Sequence, residues 1–163
     1  MPEKHIIERA RKDARQGKAP STQAGEFVRE EIEHIREGKH GAQSTKQAIA
    51  IGLSKARRAG VKLPPPREGT TSRATRHKAV RDLESSHART RNRRRSRAVL
   101  RALRRKGRSA ASRTALARQA RAAARKRSAA ARSAAARKAV RTKGPRKRAQ
   151  AARKAARTRA RAS

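Results

Sequence analysis

Apolar residues recur at helical spacing through the first part of the chain and become sparse after Leu63. Ile6, Ile7, Ala10 and Ala14 fall on one stripe, which predicts a helix over residues 2–16 with Gly17 as its stop. Lys18-Ala19-Pro20 breaks the pattern. A second helix then runs to Glu37, capped by Ser21 or Thr22, with Gly38 just past its end. Ala24, Val28, Ile32 and Ile35 share one face of it, with Phe27 at the flank. Glu26, Glu30, Glu33 and Glu37 lie opposite and predict an exposed acidic ridge.

Ser44-Thr45-Lys46-Gln47 has the pattern of a capping box, in which Ser44 caps the helix and Gln47 bonds back to the N–H of Ser44. The third helix, residues 45–59, stops at Gly60 and carries Ala48, Ile49, Gly52, Leu53, Ala56 and Ala59 on its apolar stripe. Lys46, Lys55, Arg57 and Arg58 lie outside that stripe. A glycine inside a helix costs about 1 kcal/mol relative to alanine, so Gly52 predicts close approach by another helix. With only about a dozen large apolar side chains, the head over residues 1–63 is near the lower limit for independent folding. An antiparallel bundle is the simplest arrangement, and homodimerisation through the same stripes would add burial.

Pro64-Pro65-Pro66 ends the head, and residues 64–71 read as a stiff proline-rich spacer. Residues 72–163 read as a basic, low-complexity tail. Thr70-Thr71-Ser72 can cap a weak helix containing Ala79, Val80 and Leu83. Ser96 can cap another with Val99, Leu100 and Leu103, ended by Gly107. Ala and Arg, both good helix formers, fill residues 112–143. Gly144-Pro145 forces a break, with Pro145 suited to restart a helix. Arg placed on all sides of these helices means that they do not pack on a core. The fold class is therefore mostly α: a small head of two or three helices, then a long Ala/Arg-rich tail, disordered or partly helical when free. Ala122-Ala123-Ala124-Arg125-Lys126 recurs at Ala134-Ala135-Ala136-Arg137-Lys138, and residues 134–142 resemble 150–158. These uneven spacings exclude a packed solenoid.

Charge settles what such a tail can do. The formal net charge is +38, and it is unevenly placed: residues 1–63 carry +6 and residues 64–163 carry +32. No acid follows Glu84, and residues 85–163 hold 30 of the 49 Lys and Arg, 24 of them Arg. Such a segment has too little to bury to offset the entropy of folding alone, and its charges repel until a polyanion neutralises them. Arg is the better bidentate partner for phosphate. The densest clusters name the nucleic-acid-binding candidates: Arg93, Arg94, Arg95 and Arg97; Arg101, Arg104, Arg105, Lys106 and Arg108; Arg125, Lys126 and Arg127; Arg137 and Lys138; Arg146, Lys147 and Arg148; Arg153 and Lys154. The tail has no aromatic residue, which argues against a base-stacking platform for single strands.

Other chemistries find little support in these residues. The chain has no Cys, and hence no disulfide framework or thiolate zinc site. His5, His34, His40, His77 and His87 include no pair four apart on a helix, so they read as exposed histidines and no metal is expected. Glu26 and Glu30 are four apart but are not expected to be buried or paired, so no catalytic residue and no cofactor is expected. Ser96 and Ser128 follow three basic residues and would suit a basophilic kinase, against a plain capping role. No apolar run reaches the length of a signal or membrane segment, and a cytoplasmic protein without membrane partners is expected. The third helix after the second invites a helix-turn-helix reading, but the six-residue link from Gly38 to Gln43 is long for that motif.

The segment Lys46-Gln47-Ala48-Ile49-Ala50-Ile51-Gly52-Leu53-Ser54-Lys55-Ala56-Arg57, with Glu37-Gly38-Lys39-His40-Gly41 before it, resembles the core of a family of small basic bacterial proteins of unknown function. The likeness covers residues 26–63 and implies no chemistry. The tail resembles the Ala/Lys/Arg arms of bacterial histone H1-like proteins, though it prefers Arg and lacks regular Pro-Ala-Lys-Lys units. Together these resemblances imply a nucleoid-associated bacterial protein. The expected function is sequence-independent binding of duplex DNA through phosphates, with bridging or compaction. RNA or ribosome association, or an adaptor role for the head, are the alternatives. Duplex DNA carries one charge per about 1.7 Å, so +38 matches the phosphates of roughly 19 base pairs.

Overall fold

The structure, a computed structural model, describes residues 2–84 and 93–161. Among the described residues it is helical without strands: α1 (Lys4–Arg15), α2 (Pro20–Arg36), α3 (Thr45–Arg58), α4 (Arg73–Glu84), α5 (Arg93–Arg104), a 3-10 turn (Ser109–Ala111), α6 (Arg113–Arg125) and α7 (Ala129–Ala160). The chain divides into two compact units, Met1–Gln119 and Ala120–Ser163.

In the first unit α2 is the central helix, with α1 packed on one side and α3 on another, and α4 packed on α3. Gly38 (φ +80) ends α2, and the Lys39 N–H donates back to the His34 carbonyl at 3.0 Å; Gly17 and Gly60 end α1 and α3 in the same way. The start of α2 differs from expectation. Ala19 occupies the capping position without a side-chain bond and Pro20 opens the helix, because its fixed φ and missing N–H suit the first helical position. Ser44 does cap α3, accepting from the Gln47 N–H at 3.2 Å. The reciprocal bond, however, runs from the Gln43 N–H to Gln47 Oε1 at 2.7 Å, one residue upstream of the expected partner.

Two apolar clusters form the core of this unit. Ile6, Ala10, Ala24, Phe27, Ala56 and Val61 make the first, with Ile7, Leu53, Ala59 and Leu63 against it. Gly52 lies where expected: a Cβ there would be 2.7 Å from Val28 Cα and 3.0 Å from the Phe27 carbonyl oxygen. Ala14 is exposed and Asp13 takes the buried place on α1, ion-paired with Lys18 at 2.6 Å. The second cluster joins Ile32, Ile35, Ala42 and Ala48 to Ala110 and Ala111, with Leu116 against them. The 3-10 turn, which lies beyond the proline segment, thus packs into the core formed by α2, the loop after it and α3. Thr45 Oγ1 donates to the Ala110 carbonyl at 2.7 Å, Arg36 Nε to Ala111 at 3.0 Å, and the Gly41 and Ala42 N–H groups to Leu103 and Gly107. These bonds satisfy the N–H groups of the loop after α2 and the buried Thr45 hydroxyl.

Arg57 corrects another expectation. It is buried, and its guanidinium donates to the carbonyls of Leu63 and Pro64, pinning the start of the proline segment against α3. Burial pushes its pKa down, with Asp82 opposing.

The described residues of the basic half are mostly helical, in α4, α5, α6 and α7, in place of a long disordered or only partly helical tail. Ser72 caps α4 as expected, but Ser96 lies inside α5. The stretch over residues 112–143 divides at Ser128: Ser112 caps α6 and Ser128 caps α7. In the second unit Gly144 (φ +66, ψ 171) interrupts α7 and Pro145 restarts it, as expected from Gly144-Pro145.

Candidate nucleic-acid interface and a buried carboxylate–histidine cluster

The basic candidates stand at the surface. Arg97, Arg101, Arg104, Arg105, Lys106 and Arg108 are exposed along α5 and the turn after it, while Arg93, Arg94 and Arg95 open α5 with side chains outside the described set. Helical spacing gathers Arg97, Arg101 and Arg104 on one side of α5 and Val99, Leu100 and Leu103 on another. On α6 likewise Arg118, Arg121 and Arg125 share a side away from Leu116, which packs into the second cluster. On α6 the expectation of Arg on all sides therefore fails, because Leu116 turns toward the core; on α5 Val99 and Leu100 stay exposed and only Leu103 is half-buried. Arg108 reaches across to the end of α2, its Nη1 donating to the Arg36 carbonyl at 3.4 Å.

For α7 the expectation of basic residues all round holds. None of its residues is buried, and Arg137, Lys138, Arg146, Lys147, Arg148, Arg153 and Lys154 are exposed, as are Arg125, Lys126 and Arg127 just before it. Its 32 residues carry 12 Lys and Arg and no acid. At a rise of about 1.5 Å per residue this is about one charge per 4 Å, near the 3.4 Å spacing of phosphates along one DNA strand.

Sequence reasoning missed a cluster in the first unit. The acidic ridge is not exposed as a whole: Glu33 and Glu37 face solvent, whereas Glu30 and its neighbour Glu31 are buried and Glu26 is largely covered by Arg9, 3.0 Å away. The cause is the central place of α2, which leaves little of its circumference to water. Glu30 Oε1 accepts from the Glu3 backbone N–H at 2.7 Å. Glu31, fully buried, has Oε2 2.7 Å from Lys55 Nζ and Oε1 3.5 Å from His40 Nε2. Lys55 also lies 3.6 Å from Glu30 and is largely covered, so it is no more a solvated cation than Arg57.

The two histidines beside these carboxylates are not exposed either. The His40 side chain is 9% exposed and that of His34 13%, with their rings edge to face at 6.2 Å between centroids. His34 Nε2 meets Glu3 Oε1 at 3.1 Å, and this bond, with help from Lys39, holds the Glu3 carboxyl below its ordinary pKa. The motif Glu31-x-x-His34 puts both groups on one side of α2, which is the signal available in the sequence; the third group, His40, comes from the loop and carries no spacing signal.

The profile of DUF6496, a family of unknown function, matches residues 21–67, which include α2, the loop, α3 and the start of the proline segment. No curated protein and no solved structure matches the chain. Among the described residues no helix is long and apolar enough to cross a membrane.

Proposed function

We propose that this protein binds duplex DNA without sequence preference, through phosphate contacts from α5, α6 and α7, and bridges or compacts it in the manner of a nucleoid protein. The observation that carries the reading is α7: 12 Lys and Arg, no acid, and no residue buried. A helix charged on all sides has no core to pack on, and its self-repulsion is relieved by a polyanion. Among residues 85–163 Arg outnumbers Lys, which favours bidentate phosphate contacts, and the absence of Phe, Tyr and Trp there disfavours stacking on single strands.

Binding of this kind is driven by counterion release. Ten phosphate contacts give a slope of log affinity against log salt near about −9 on duplex DNA. A slope shallower than about −3 in such a titration of the full chain would exclude the reading. Competition between duplex DNA and structured RNA at matched salt tests the choice of nucleic acid. The expected result is preference for, or parity with, duplex DNA; strong preference for RNA redirects the proposal to the ribosome or another structured RNA.

A further inference from the structure

We propose that Glu31, His34 and His40 form a binding site for a divalent transition-metal ion of the zinc type. This inference is independent of the nucleic-acid reading, since none of these residues belongs to the basic surface.

Buried charge leads to the site. Glu30 and Glu31 are two buried carboxylates facing one ammonium, Lys55, which leaves one negative charge in a region that water does not reach. An uncompensated buried charge is costly, and Glu31 Oε1 accepts no hydrogen bond at all. What faces that oxygen is His40 Nε2 at 3.5 Å. The other ring nitrogen, Nδ1, lies 3.2 Å from the Gly41 carbonyl oxygen, which can only accept, so Nδ1 carries a proton; in the Nδ1–H tautomer Nε2 turns its lone pair toward Glu31. Two lone pairs facing one another need a cation between or beside them.

Geometry favours a metal ion over a proton. A charge-assisted N–H···O bond measures about 2.7–2.9 Å, well short of the 3.5 Å found. Two ligands bound at about 2.0–2.1 Å around a tetrahedral zinc stand about 3.3 Å apart, close to it. His34 completes the set: one donor atom from each of Glu31, His34 and His40 lies within 4.8 Å of the other two. Drawing the widest pair together takes at most about 1.5 Å, a small rotation of two largely buried imidazoles. The outer contacts are those that metal-binding side chains use. The Gly41 carbonyl orients His40, Glu3 holds Nε2 of His34, and Lys55 is ion-paired with the second oxygen of Glu31. Two imidazoles and one carboxylate without sulfur suit zinc and its neighbours better than magnesium or calcium. An ion here would tie α2 to the loop whose Gly41 and Ala42 receive residues 103–107.

The test uses the full chain, freed of nucleic acid in high salt and of metal by chelation, then titrated with Co²⁺ and Zn²⁺. One Co²⁺ per chain should bind with the visible absorption of a four- or five-coordinate site, and Zn²⁺ should displace it and raise the thermal midpoint. His40→Gln, in the loop, should weaken Zn²⁺ binding by more than the roughly 10- to 100-fold that loss of an outer-sphere partner costs. His34→Gln should do the same, and His77→Gln should change nothing. No absorption and no thermal shift in the parent chain overturns the proposal. So does undiminished affinity in both His34→Gln and His40→Gln variants that retain the parent's helical circular dichroism; a protonated His40 would then be the compensating cation.

Discussion

Gly41 lies against the backbone of Lys106 so closely that a Cβ on it would fall 1.8 Å from the Lys106 carbonyl oxygen. The Gly41 N–H donates to Leu103 from the same contact. Nothing in this pair can yield as a flexible side chain would, because backbone meets backbone. Gly41→Ala should therefore push residues 103–111 off the head and uncover Ile32, Ile35 and Ala48. We expect a loss of about 1–3 kcal/mol in urea unfolding of the full chain, with faster amide exchange at Ala42 and Ala111. Parent-like exchange at both amides would show that the segment is not docked there.

The two glycines of the α2–α3 pair should respond in opposite directions. At Gly52 a methyl group meets Val28 Cα at 2.7 Å, so the helix-propensity gain of about 1 kcal/mol is outweighed by overpacking of about 1–3 kcal/mol. Gly25, exposed in α2, has nothing within 4 Å of its would-be Cβ. Gly25→Ala should stabilise by about 0.5–1 kcal/mol. Thermal unfolding of the two single variants checks both signs.

The three helices of the head, their stops at Gly17, Gly38 and Gly60, the close approach at Gly52 and the break at Gly144 were legible because each rests on local chemistry. What the sequence did not show depends on partners distant in the chain. Glu30 and Glu31 look like members of an exposed ridge on a helical wheel, which does not register that α2 is enclosed from several sides. Ala110 and Ala111 sit in a run of basic and small residues, and small side chains give no hydrophobic signal; they become core because Gly41 and Ala42 allow backbone to come close. The exposure of α7 was legible for the opposite reason, since basic residues on every side of it leave no apolar stripe to bury. His40 was the least legible, as only the fold of its loop brings it to Glu31.

Lys55 is the ammonium that partly neutralises two buried carboxylates. Lys55→Met keeps the stem and removes the charge, leaving Glu30 and Glu31 uncompensated. Loss of one partner from a buried ion pair costs about 3–5 kcal/mol, so this variant should be among the most damaging in the head. Adding Glu31→Gln to it removes one of the stranded charges and should recover part of the loss. A Lys55→Met chain as stable as the parent would mean that the pair is hydrated in solution. Denaturant unfolding of the single and double variants gives the comparison.

The place to cut the chain follows from the second apolar cluster. A chain ending at residue 66 lacks Ala110, Ala111 and Leu116, and leaves the buried Thr45 hydroxyl without the Ala110 carbonyl to which it donates. A chain ending at Gln119 keeps all of these. Residues 1–119 should thus unfold cooperatively in urea and be more stable than residues 1–66 by about 2 kcal/mol or more, given the apolar burial of Ala110, Ala111 and Leu116 that the shorter chain lacks. The same cut removes residues 120–163, which carry 17 Lys and Arg and no acid. If α7 contributes most of the phosphate contacts, residues 1–119 should still bind duplex DNA, but with less than half of the full chain's salt slope. A slope equal to that of the full chain would place the contacts before residue 120, on α5 and the first turns of α6, and leave α7 outside the interface. Equal stability of the two fragments would mean that the turn at Ser109–Ala111 adds nothing to the core it covers.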